Sequence, residues 1–142
     1  MLKLRLPTDP RWVNIAEKNL EEILTDHAYC EQKAASTAIS LIVQFPEYTE
    51  LVSKMSELAQ EEMEHFQRVH QIMEKRNIPL GRERKDEYIH ELKKYFSNGG
   101  RSRLDVLIDK LLFAAMIEAR SCERFRVLSE NIKDEELADF YH

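Results

Sequence analysis

Apolar residues recur at helical spacing along most of the chain. From Glu47 to about Arg76, steps of four and three pick out Leu51, Met55, Leu58, Glu62, His65, Val69 and Ile72, the pattern of a long helix with one side turned to a core. The Asn77-Ile78-Pro79-Leu80-Gly81 cluster stops it. Upstream, Thr8-Asp9-Pro10 reads as a helix start, with an N-cap oxygen ahead of a proline whose missing N–H costs nothing in the first turn. That first helix, with room for a break near Thr25, runs to about Phe45, because Pro46 disfavours helical geometry in the residue before it. Its stripe is Leu20, Leu24, His27, Glu31, Ala34 or Ala35, Ala38 and Ile42. A third long helix is predicted from Ser102 to about Glu130, stepping through Leu104, Ile108, Leu111, Ala115, Glu118, Cys122 and Phe125. Asp134-Glu135-Glu136 then has the acidic character of a fourth helix's first turn, which has barely begun at His142. The polar stretch from Gly81 to Gly100 reads as a crossover, with a short amphipathic helix around Glu83–Phe96 closed by Ser97-Asn98-Gly99-Gly100.

Two antiparallel long helices, a crossover, a third long helix and the start of its partner form the plan of a four-helix bundle with one long crossover, its fourth core helix largely missing. Composition agrees. Three Gly and four Pro in 142 residues leave few turns, so the expected class is all-α and residues 1–142 are read as a single domain. With 43% apolar and 33% charged residues, the chain is too hydrophobic for disorder and too often interrupted by charge for a membrane span. A formal charge of −5 argues against gripping nucleic acid through bulk positive charge, though a local basic patch remains open. MLKLRLPTDP has no apolar stretch of the signal-peptide kind, so a cytoplasmic protein is expected, in which Cys30 and Cys122 are small buried thiols rather than a disulfide.

Each of the three stripes is interrupted at mid-helix by a carboxylate: Glu31, Glu62 and Glu118. Buried alone among Leu and Ala, a carboxylate is driven to its neutral form unless a cation or hydrogen-bond donors compensate it. Glu31 lies fifteen residues before Pro46 and Glu62 sixteen after it, so at about 1.5 Å rise per residue the two are level. Glu62 and His65 form an E-x-x-H on one helix face, the arrangement by which ferritin-like carboxylate proteins hold an iron or manganese pair. Pairing of these carboxylates with Arg120 or Arg124 is the competing reading. His27, one turn before Glu31, is either an extra ligand, a partner of a ligand or an interior residue. Glu123 rivals Glu118 because Cys-Glu occurs at both Cys30-Glu31 and Cys122-Glu123, but it lies off the stripe and Glu118 is preferred. A second E-x-x-H, level with Glu118 on a fourth helix, falls beyond His142; Asp139 and His142 form a D-x-x-H as a weaker substitute.

The stretches TDHAYCEQKAASTAISLI (Thr25–Ile42), ELAQEEMEHFQRVHQIM (Glu57–Met73) and MIEARSCERF (Met116–Phe125) resemble the family of tRNA hydroxylases that act on 2-methylthio-isopentenyl-adenosine beside the anticodon. The resemblance covers essentially the whole chain. It implies a ferritin-like fold with a non-haem di-iron centre of two iron ions, which uses O2 and an external electron donor to hydroxylate the isopentenyl side chain. Carried over by motif, it implies Glu31, Glu62, His65 and Glu118 as iron ligands. Family members are expected to continue from ELADFYH into the fourth helix and its ligands, so either the chain is shortened or a partner supplies the missing element. A homodimer covering the apolar groove left by an absent helix follows as an expectation.

The partners implied are tRNA and an electron-transfer protein, with no membrane. Contacts to tRNA are sought among Arg82, Arg84, Lys85, Lys93, Lys94, Arg101 and Arg103, while Trp12 is read as an anchor of the first helix. The alternatives are a ferritin-like protein that holds iron without hydroxylating a nucleoside, and an inactive shortened helical module.

Overall fold

The computed structural model describes residues 8–96 and 102–142. The Ser97–Gly100 stop, Arg101 and the first seven residues lie outside the described residues. All regular structure among the described residues is helical: α1 (Trp12–Lys18), α2 (Leu20–Gln44), α3 (Thr49–Lys75), α4 (Glu87–Lys93), α5 (Arg103–Asn131) and α6 (Glu135–Tyr141). The chain divides into two compact units, one comprising Glu21–Asp86 and the other the segments before and after it.

In the Glu21–Asp86 unit, α2 runs 25 residues without Gly or Pro, opens on Glu21 and Glu22, and buries Leu24, Ala28, Ala35, Ala38 and Leu41. It stops at Gln44 ahead of Pro46, and Tyr48 N donates to Phe45 O across a tight corner that buries Phe45. At the far end of α3 the turn chemistry is specific. Asn77 takes φ 55°, Asn77 N donates to Glu74 O, and Ile78 N donates to Met73 O. This is a Schellman closure with asparagine in the left-handed position, followed by Pro79. The chain then runs back along α2: Gly81 N donates to Thr25 Oγ1, Tyr29 OH donates to Gly81 O, and Arg84 pairs with Asp26 and Glu22.

The break near Thr25 is placed instead at Asn19, between α1 and α2. Asn19 N donates to Ala16 O and its side-chain Nδ2 donates to Ile15 O, a local side-chain bond of the kind that competes with helix continuation. Thr25 lies within α2, buried, and holds Gly81.

In the second unit, Ser102 and Asp105 close a reciprocal capping box at the start of α5. Asp134 caps α6 through Leu137 N at 3.1 Å. α6 packs on α5: Leu137 is fully buried, and the Phe125 and Tyr141 rings stack with centroids 5.2 Å apart. Glu17 of α1 accepts from Lys133 N at 2.8 Å in the α5–α6 turn, and Arg124 lies over the Trp12 ring.

Two expectations are corrected here. Thr8 is no helix cap, since its N–H and hydroxyl both go to Glu123 while Asp9 Oδ1 accepts from Arg11 N. The inward side of α5 is also not the Leu104–Phe125 stripe: Leu104, Ile108, Ala115, Glu118 and Cys122 are exposed, and Leu107, Glu123, Val127 and Leu128 are buried. Between Leu104 and Ile117 most positions are apolar, so stepping by three and four from Leu104 has rivals such as the face of Leu107.

Candidate metal centre

α2 and α3 fold back on each other at the 45–48 corner, which brings Glu31 and Glu62 to the same level. Without that reversal, 31 residues of continuous helix would separate them by roughly 46 Å. In the structure one ligand atom each from Glu31, Glu62 and His65 lies within 4.8 Å of the other two. Glu62 is buried, and the Glu31 side chain is only 12% exposed, whereas His65 is 39% exposed and forms the open side of the cluster. His65 Nδ1 stands 3.5 Å from Glu62 Oε2, one helical turn away on α3.

His27 is buried one turn before Glu31 and engages it directly, with Nε2 2.6 Å from Oε1. The neighbouring Cys30 is partly buried, and its thiol is pushed up to about 11, chiefly by burial and then by the charge of Glu31. It stays protonated at neutral pH in the metal-free protein, and it is not one of the gathered donors.

Two carboxylates gathered in a largely buried site repel unless a cation lies between them. Carboxylate oxygens with a neutral imidazole nitrogen are a donor set suited to iron or manganese. The three residues therefore fit a first-row metal ion by the chemistry they offer.

Glu118 lies on α5 in the other unit, exposed, and accepts from Cys122 Sγ at 3.1 Å. Cys122 is exposed as well, not a buried core thiol. Its rival Glu123 is buried but committed: Thr8 N at 3.1 Å, Thr8 Oγ1 at 2.9 Å and Arg120 at 3.0 Å all meet its carboxylate. Arg120 three residues before it was the available sign of that pairing. Asp139 on α6 and His142 just after it are both exposed and are not part of the gathered set. Of the basic residues near the crossover, Arg84 is taken up by Asp26 and Glu22, and Lys94 pairs with Glu91.

The family model described as tRNA-(MS[2]IO[6]A)-hydroxylase (MiaE) matches residues 2–142. The chain belongs to the MiaE family. This MiaE-family chain is 41% identical over 140 residues to the tRNA 2-(methylsulfanyl)-N(6)-isopentenyladenosine(37) hydroxylase of Pseudomonas putida, matching 98% of this chain and 66% of that protein. It is 30% identical to the enzyme of the same description from Salmonella typhimurium, matching 97% of this chain and 68% of that protein. It thus spans about two thirds of the length of the curated relatives it matches. Among solved structures it resembles a Synechococcus protein described as having aldehyde deformylating oxygenase activity, at TM-score 0.89 and 34% identity, over 99% of this chain and 69% of that one. The fold class is all-α and ferritin-like. Among the described residues, no helix is long and apolar enough to cross a membrane.

Proposed function

We propose that this MiaE-family chain carries part or all of an O2-dependent hydroxylase that acts on the isopentenyl group of 2-methylthio-isopentenyl-adenosine in tRNA, as one ferritin-like domain over residues 1–142. The observation that carries the reading is the meeting of Glu31, Glu62 and His65 within 4.8 Å. Family membership, and the names of relatives matched over nearly all of this chain, support the choice of substrate.

Glu31, Glu62 and His65 would hold iron, with Glu118 of α5 as a further ligand of a two-iron centre. The metal centre supplies O2 activation when it is bound. The protein's own contribution is positional. Buried Glu62 and Glu31 fix two donors on facing helices, and the more exposed His65 leaves that side of the cluster open to substrate. Electrons come from an external donor protein, and the cytoplasm is the compartment that fits a tRNA substrate. A second copy of the chain is proposed to cover the outer face of α5, where Leu104, Ile108, Leu112 and Met116 follow at four-residue steps, each about half exposed. Sedimentation at micromolar concentration tests this, and a strictly monomeric protein rules it out.

The deciding experiment supplies Fe(II), O2 and a reductant to the chain together with tRNA bearing 2-methylthio-isopentenyl-adenosine, and then analyses the nucleosides. Gain of one oxygen atom on the isopentenyl group, lost in E62A, supports the reading. Bound iron with unaltered tRNA points to an iron-holding protein instead, and no bound metal removes both.

A further inference from the structure

A fourth side chain adjoins the three donors of the cluster: buried His27 reaches Glu31 from the same face of α2. The spacing of four residues puts the imidazole one turn below the carboxylate, and both side chains are enclosed, at 6% and 12% exposure. A metal-holding Glu31 is ionised and can only accept hydrogen bonds, so in that state His27 Nε2, 2.6 Å from Glu31 Oε1, carries the proton and donates. His27 is not among the residues whose ligand atoms gather at the cluster, so it serves a ligand rather than being one. A glutamate head left to itself turns about its terminal torsion through a broad range.

We propose that His27 is a positioning residue for the metal centre: its Nε2–H holds Glu31 Oε1, fixing the carboxylate in the orientation that faces Glu62 and His65 across the α2–α3 pair. The inference rests on the metal reading above. Carboxylate ligands are themselves hydrogen-bonded by outer partners, whose loss typically weakens metal binding about 10–100-fold. His27 is the residue in that role here. A packing role alone would make a different demand, since any side chain of similar volume would then serve.

The test uses Co(II) alone as probe on the full chain, following its visible absorption during titration, with melting of the metal-free protein measured in parallel. H27L is expected to bind Co(II) about 10–100-fold more weakly and with an altered spectrum. H27Q places an amide N–H near the former Nε2 and is expected to restore most of the affinity and the parent spectrum. If H27L does not fold, H27N takes its place, because its shorter amide falls short of Glu31. Wild-type affinity and spectrum in H27L or H27N overturn the inference while the metal reading stands. So does a weakening that H27Q fails to reverse and that follows a loss of metal-free stability. No Co(II) binding by the wild type, or undiminished binding by E62A, removes the metal reading itself and this inference with it.

Discussion

Glu123 in α5 accepts two hydrogen bonds from Thr8, 115 positions earlier in the chain, one from its backbone N–H at 3.1 Å and one from its hydroxyl at 2.9 Å. Burial alone would raise the pKa of this carboxyl, but the two Thr8 bonds and the Arg120 guanidinium outweigh it and hold the group below the usual carboxylate value. The folded state therefore favours ionised Glu123. Its contribution to stability is complete above the unfolded-state value near pH ~4.3 and disappears as pH falls through the lower folded-state value. E123A is expected to cost about 1–3 kcal/mol at pH 7, because Thr8 and Arg120 lose a buried partner. The difference between wild type and E123Q, followed by urea unfolding from pH 7 downward, should shrink below about pH 4. A gap that is unchanged at low pH would count against the clamp.

At the metal cluster, stability and function are expected to oppose each other. Gathering Glu31 and Glu62 costs electrostatic energy in the metal-free protein, which a cation offsets on binding. E62Q should therefore leave the metal-free melting temperature equal to or above that of wild type, while abolishing the rise that Fe(II), Mn(II) or Co(II) produces. For the wild type, metal at a hundred times its dissociation constant should add about 2.7 kcal/mol. Scanning calorimetry with and without metal reads both effects. If E62Q loses stability and keeps the metal-induced rise, Glu62 is a structural residue and not a ligand.

The sequence made the α2–α3 pair and its cluster legible because a single corner at Pro46 sets the register, and a count of residues on each side brings Glu31 level with Glu62. The ends of α3, α5 and α6 were equally open to reading, since Asn77, Ser102 and Asp134 do locally what their residue types favour. α5 was not. Its first half is apolar on most sides, so periodicity could not choose between the Leu104–Ile108 face and the Leu107 face. The role of Thr8 was hidden for another reason: a threonine before Asp-Pro has the local signature of a cap, and a partner 115 residues away leaves no local trace.

Along α2, the Gly81–Arg84 segment is held by several weak ties. Arg84 is 45% exposed, so its pairs with Asp26 and Glu22 lie in a screening environment despite close geometry. R84A is expected to cost no more than about 1 kcal/mol, with a smaller effect at high salt. A methyl group at Gly81 would sit 3.4 Å from Thr25, ordinary contact, so G81A should fall within about 0.5 kcal/mol of wild type. Y29F removes the hydroxyl that donates to Gly81 O and is expected to cost about 1 kcal/mol. Urea unfolding in low and high salt separates the ionic tie from the neutral ones, and a salt-insensitive R84A would reverse the assignment.

Seven residues are far too few for a helix to stand alone in water, so α6 owes its helicity to α5. Two local features compete to explain its stability. The Asp134 cap contributes about 1 kcal/mol, whereas Leu137, wholly buried, contributes about 2–5 kcal/mol by the cost of truncating a core leucine to alanine. Packing should therefore dominate. D134A is expected to fray the first turn only. L137A should release the whole element and uncover Tyr141, which stacks on Phe125. Amide exchange distinguishes the two: protection lost across 135–141 in L137A but confined to the first turn in D134A. The opposite ranking would mean that the cap, and not the α5 contact, holds this helix in place.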